Sequence, residues 1–184
     1  MRIGLFCSMA GLALAMLVLS HCATLNEQDC QAADWQALGE SDGVAGRKRS
    51  YIAFHERACA SFAIPVDASA WRQGWRTGID RFCTASNGLA LGLRGAYYER
   101  SCPDAIKAPF ETAYRLGYDV YSARTDYDNL RFEISEARFN LQRLAPEQRP
   151  QAEADILARE NALFDARLDL DNARLRLKRY LEAQ

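Results

Sequence analysis

Apolar positions along this chain keep three rhythms in succession. From Ile3 to Leu19 they are nearly continuous, with Leu5, Leu12, Leu14, Met16, Leu17 and Val18 and no acid or base after Arg2. From Trp35 to Phe82 aromatic residues and glycines recur at helical spacing. Beyond Pro109 apolar residues advance by alternating threes and fours, the seam of a coiled coil.

The third rhythm predicts the most regular part of the molecule. Pro109 suits a first helical position, and no breaker follows until Pro146. Val120, Ala123, Tyr127, Leu130, Ile134, Ala137, Leu141 and Leu144 form one seam, and Ile156, Leu163, Ala166, Leu170, Ala173, Leu177 and Tyr180 form a second. Two helices of roughly 35 residues, each about 50 Å long at the helical rise, are joined by a short turn and should fold back antiparallel. Asp165, Asp169 and Asp171 precede Arg174, Arg176, Lys178 and Arg179, the order that suits the helix dipole. Leu157, Phe164, Leu168 and Leu175 make a further strip beside the second seam. One seam serves the hairpin, so the strip calls for the core, a second subunit or another protein.

In the second rhythm Gly39, Gly43 and Gly46 share one face of a helix over 34–46. Glycine lowers helix stability, so three on one face imply close approach of a neighbouring backbone; no phosphate-loop spacing supports a ligand cradle. Arg47-Lys48-Arg49 reads as a solvated turn. Ser50 then caps a helix to about Ala60, with Tyr51, Phe54, Ala58 and Phe62 on one side. Asp67 caps the next helix, where Trp71, Gly74, Trp75, Gly78 and Phe82 form an aromatic and glycine stripe. The stripe recurs 39 residues later: WRQGWRTGIDRF at 71–82 aligns with FETAYRLGYDVY at 110–121, matching Gly78 to Gly117. Such a pair predicts a repeated helix-packing unit. Between Cys83 and Cys102, Asn87-Gly88, Gly92 and Gly95 signal turns, which predicts a compact Gly-rich loop. Arg94, Tyr97 and Tyr98 near its end are a candidate binding surface, since long ordered loops carry function disproportionately.

Charge and cysteine chemistry set the address. The charged start and apolar run of residues 1–21 have the form of an export signal, short of the roughly 20 apolar residues and flanking anchors of a membrane span. Leu19-Ser20-His21-Cys22-Ala23 has the form of a lipoprotein cleavage box with Cys22 as the acylated residue. A net charge of -1 gives no long-range attraction to nucleic acid. Cys30, Cys59, Cys83 and Cys102 remain for the exported domain, and four exported cysteines make two disulfides by default. They allow three pairings; Cys30–Cys59 with Cys83–Cys102 is expected because each joins the ends of one predicted hairpin or loop. No C-x2-C spacing supports zinc. His55 and Cys59, four apart on a helix, would make a nucleophile pair only with Cys59 reduced. No acid pair, metal spacing or cofactor motif stands out, so neither a metal, a cofactor nor an enzymatic activity is expected.

The order Cys22-Ala23-Thr24, Cys30, Trp35, Gly39, Asp42-Gly43, Gly46, Cys59, Trp71-x2-Gly74-Trp75-x2-Gly78, Cys83, Gly92, Gly95, Tyr97 and Cys102-Pro103 resembles a family of short proteobacterial envelope lipoproteins of unknown function, the DUF 2799 type. The resemblance covers residues 16–121 and implies export, lipidation and paired cysteines, with no known activity. His21 departs from the glycine usual before the lipidated cysteine. The expectation is an all-α protein: signal peptide 1–21, disulfide-bonded helical core 22–118, and coiled-coil-like antiparallel hairpin 119–184. It would face the periplasm from the outer membrane through a lipid anchor. An adaptor role, with 119–184 meeting another envelope protein, is the leading expectation; a module for peptidoglycan or polysaccharide is the alternative. The sequence leaves the oligomeric state open.

Overall fold

The computed structural model describes residues 25–184. The leader and Cys22 lie outside the described residues. Among the described residues seven α-helices follow one another: α1 (Glu27–Ala32), α2 (Trp35–Val44), α3 (Ile52–Ala60), α4 (Ala68–Phe82), α5 (Ala85–Leu93), α6 (Lys107–Leu141) and α7 (Arg149–Glu182). No strand occurs among the described residues. Local signals start several of them. Asn26 and Asp29 form a reciprocal capping box on α1, Asp34 accepts from the Ala37 amide at the head of α2, and Asp67 accepts from Ser69 and Ala70 at the head of α4.

Two helix pairs make the core, and both are closed by glycine. In the first, α2 lies on α4 so closely that a Cβ added at Gly39 would fall on the Trp71 carbonyl, and one at Gly74 on the Gln36 carbonyl. Gly43 and Gly78 likewise sit against each other's backbones. In the second, Gly88 meets the Phe110 carbonyl, and Gly92 and Gly117 face each other across α5 and α6. Each first helix ends on a glycine with positive φ, Gly46 at 73° and Gly95 at 64°, and each is covered by the ring that closes its partner's stripe, Phe82 and Tyr121 respectively. Gly39-x3-Gly43-x2-Gly46 therefore has its counterpart in Gly88-x3-Gly92-x2-Gly95. The fold is two copies of one helix pair.

A disulfide staples each copy in the same way, one cysteine standing ahead of the first helix of the pair and the other between its two helices: Cys30–Cys59 around α2 and Cys83–Cys102 around α5. Loops of 29 and 19 residues contribute about 3 kcal/mol each by restricting the unfolded chain. The copies join through aromatic rings: Phe110 of α6 packs 5.2 Å from Phe82 of α4 and 4.7 Å from Tyr98. Trp71, Trp75, Tyr98 and Phe110 are the largest side chains of this buried cluster.

Four expectations change. Residues 85–93 form a helix where a Gly-rich loop was predicted: Thr84 caps it on the Asn87 amide, and its glycines are contact points with α6, not turns. Ser50 caps nothing; a short 3-10 turn, Arg49–Tyr51, leads into α3 without a side-chain cap. The inward face of α3 is Ile52, His55 and Cys59, while Phe54 and Phe62 are exposed, because the cystine and His55 turn it. Pro109 stands third in α6, which starts at Lys107.

The hairpin forms as predicted. α6 runs unbroken through residues 118 and 119 and returns as α7 after a short 3-10 turn, Pro146–Gln148. All residues of both seams are buried or half-buried, with Ile134, Ile156, Leu170 and Ala173 the deepest. Arg138–Glu160, Arg159–Glu133 at 3.6 Å and Arg176–Asp119 at 3.4 Å cross between the helices.

Candidate functional site

Inside the core, polar chemistry is spent on holding helices together. The imidazole Nε2 of His55 lies 2.8 Å from Asp42 Oδ2, and the indole N–H of Trp71 donates to the same oxygen at 2.9 Å. Trp75 donates to the Arg47 carbonyl at 2.8 Å. These bonds tie α2, α3 and α4 together, and Cys59 is locked in its cystine, so no His–Cys nucleophile pair exists. Among the described residues no three His, Cys, Asp or Glu side chains cluster as a metal site requires. Gly39, Gly43, Gly46, Gly74, Gly78 and Gly117 all contact a neighbouring helix or ring, and Trp71 and Trp75 are buried.

The predicted binding surface at Arg94, Tyr97 and Tyr98 comes apart. Tyr98 is buried, its phenol oxygen accepting from the Cys102 amide at 3.1 Å, and burial raises its pKa above the ordinary tyrosine value. Helix α5 accounts for the change, since it directs Tyr98 onto Phe110 and Tyr114. Arg94 is exposed, and Tyr97 stands out at 84% exposure. Nearby, an open cleft of about 470 Å³ is lined by Tyr98, Arg100, Asp104, Lys107, Glu111 and Arg115, among others. Two of its charges, Asp104 and Lys107, answer one another. A hydrogen bond from Lys107 lowers the Asp104 pKa and raises that of Lys107, and Arg115 donates to the Glu111 carbonyl.

The larger unpaired surface is on the hairpin. Leu157, Phe164, Leu168 and Leu175 of α7 are exposed, with Phe164 at 64%, so of the three covers the strip calls for the core is not the one used. On α6, Phe132 and Phe139 are exposed at 68% and 54%. Sequence reasoning missed these two, although they stand seven residues apart and off the seam. They fall in line with Tyr114 and Tyr121, at intervals of seven, eleven and seven residues, so all four share one side of α6. Helix α5 occupies that side below: Gly92 lies on the Tyr114 carbonyl, Gly95 under the Tyr121 ring, and Tyr114 donates to the Ala96 carbonyl. α5 ends at Leu93, and the same face continues bare to Phe139. Exposed aromatic residues aligned on a rigid element are the usual mark of an interaction surface.

The class these features define is a disulfide-stapled, doubly repeated helix pair carrying a long helical hairpin. Residues 34–119 match the model of the family described as "Protein of unknown function (DUF2799)". The match takes in both glycine-closed helix pairs and stops where the hairpin leaves the core. Neither a curated protein nor a solved structure matches the chain.

Proposed function

We propose that the protein is a cell-envelope adaptor, held by lipid on Cys22 at the outer membrane and facing the periplasm, that receives a helix of another envelope protein along α6 beyond the end of α5. The observation that carries this is the run of Phe132 and Phe139, which prolongs a helix-docking face that α5 covers only in part. Because Tyr121 packs its ring on Gly95, the complementary partner is a helix with small residues opposite each phenylalanine. Two disulfides suit an oxidising compartment, in keeping with the export signal. No helix among the described residues is long and apolar enough to cross a membrane, and attachment is assigned to the acyl chains. The alternative of a peptidoglycan or polysaccharide module has less to stand on: of Trp71, Trp75, Tyr97 and Tyr98, only Tyr97 is open.

Two measurements test this reading. Metabolic labelling with a palmitate analogue should mark the wild type and spare Cys22→Ser; an unlabelled wild type removes the anchor. A photo-crosslinking residue at 132 or 139, in cells, should trap a discrete envelope protein that the same residue at Lys48 does not. Equal trapping at all three positions, or none, contradicts the adaptor.

A further inference from the structure

The exposed strip of α7 is symmetric about its own middle. Counting from Ala166, Phe164 and Leu168 lie two residues to either side, Asn161 and Asp171 five, and Leu157 and Leu175 nine. Together the six positions step by four, three, four, three and four, which places them on one helical face, and all six are exposed. Ala166 itself turns away into the seam with α6, where it is half-buried. The face spans about 27 Å at the helical rise.

We propose that this face pairs with its own copy, so that two chains associate through antiparallel α7 helices about a two-fold axis level with Ala166. Antiparallel pairing sets each residue opposite the one equally far on the other side. Phe164 then meets Leu168 of the second copy, Leu157 meets Leu175, and each contact occurs twice, the self-complementarity that a two-fold interface demands. The remaining layer sets the Asn161 amide, a donor, against the Asp171 carboxylate, an acceptor. A polar layer of this kind penalises any register that leaves the carboxylate among leucines. Along one flank, Glu160, Arg167 and Arg174 recur every seven residues, so Glu160, already paired with Arg138 of its own chain, comes within two residues' rise, about 3 Å along the axis, of Arg174 of the other copy, which pairs with its own Asp171. Arg167 meets its own counterpart at the axis, where two exposed side chains repel weakly. The pairing leaves Phe132 and Phe139 of α6 outside it and does not rest on the adaptor reading.

The test is crosslinking, in envelope vesicles with a short bis-maleimide, of variants that keep both disulfides and Cys22 and carry one added cysteine. Arg167→Cys should give a species of twice the mass of the uncrosslinked chain. Glu160→Cys and Arg174→Cys should each give little alone and a strong product when co-expressed. Adding Phe164→Asp should abolish the Arg167→Cys product with helical content unchanged, whereas adding Phe132→Asp should leave it intact. Self-crosslinking at position 160 equal to that at 167 would indicate parallel pairing and overturn the proposal, as would a chain that stays monomeric at every position. Loss of partner trapping at 132 with dimer crosslinking retained sinks the adaptor and leaves the dimer standing.

Discussion

Gly92 of α5 and Gly117 of α6 lie backbone to backbone, just as Gly43 of α2 and Gly78 of α4 do in the other half of the core. A Cβ on Gly117 would come 2.8 Å from both the Leu89 carbonyl oxygen and the Leu93 nitrogen. Neither backbone can yield without moving its helix.

Gly117→Ala therefore sets two opposed effects against each other. Alanine favours an isolated helix by about 1 kcal/mol, while forcing a methyl between packed backbones costs about 1–3 kcal/mol and can cost more when the obstacle is main chain. The expected outcome is a net loss of about 1–2 kcal/mol in urea unfolding of the oxidised protein, at the upper end of the difference because the obstacle is main chain. Unchanged or increased stability would show that the two helices do not meet here.

How much of this was legible in the sequence follows from what each signal reports. The seams, the Asp67 cap and the exposed strip were readable because helical periodicity survives wherever packing is helix on helix. The repeat was half readable. Its second helices lie 39 residues apart, but its first helices, marked by Gly39 and Gly88, lie 49 apart, since the α3 segment lengthens the first connection by ten residues. A single offset cannot align both. Helix α5 is not legible because Gly88 and Gly92 resemble turn residues beside Gly95, which does turn the chain; nothing local distinguishes a glycine that bends a chain from one that admits a neighbour. Tyr98 was misplaced for the same reason. Phe132 and Phe139 carried a visible seven-residue spacing, but their meaning depends on where α5 stops, which is a tertiary fact.

Alkaline pH should expose the burial of Tyr98. Its pKa is raised, chiefly by burial and against a smaller opposing effect of the Cys102 amide, and burial also raises that of Tyr114. The unfolded chain gives up these protons first, near the ordinary tyrosine value of 10.0. Stability is thus fully present below that pH and falls as pH rises toward the folded values. Urea midpoints measured from about pH 8 to 11 should decline above 10 in the wild type and decline less in the Tyr98→Phe/Tyr114→Phe double variant. Equal slopes would place both phenols in water.

The core should outlive the hairpin. Both cystines, the Phe82–Phe110 contact and the Tyr121–Gly95 contact lie before residue 122. A chain ending at Ser122 should keep two disulfides, a cooperative thermal transition and the near-ultraviolet signature of its buried tryptophans. A molten, non-cooperative product would make the hairpin part of one folding unit.

The adaptor reading is tested most directly by the accessibility of α6 in place. Phe132→Cys and Phe139→Cys, each made singly, can be labelled with a membrane-impermeant maleimide in opened envelopes and, separately, in the purified protein. The account predicts rapid labelling of both in the purified protein and at least tenfold slower labelling in the envelope, with Lys48→Cys labelled equally in the two settings. Equal rates at 132 and 139 in both settings would mean that nothing docks on this face, and the adaptor would have to be abandoned.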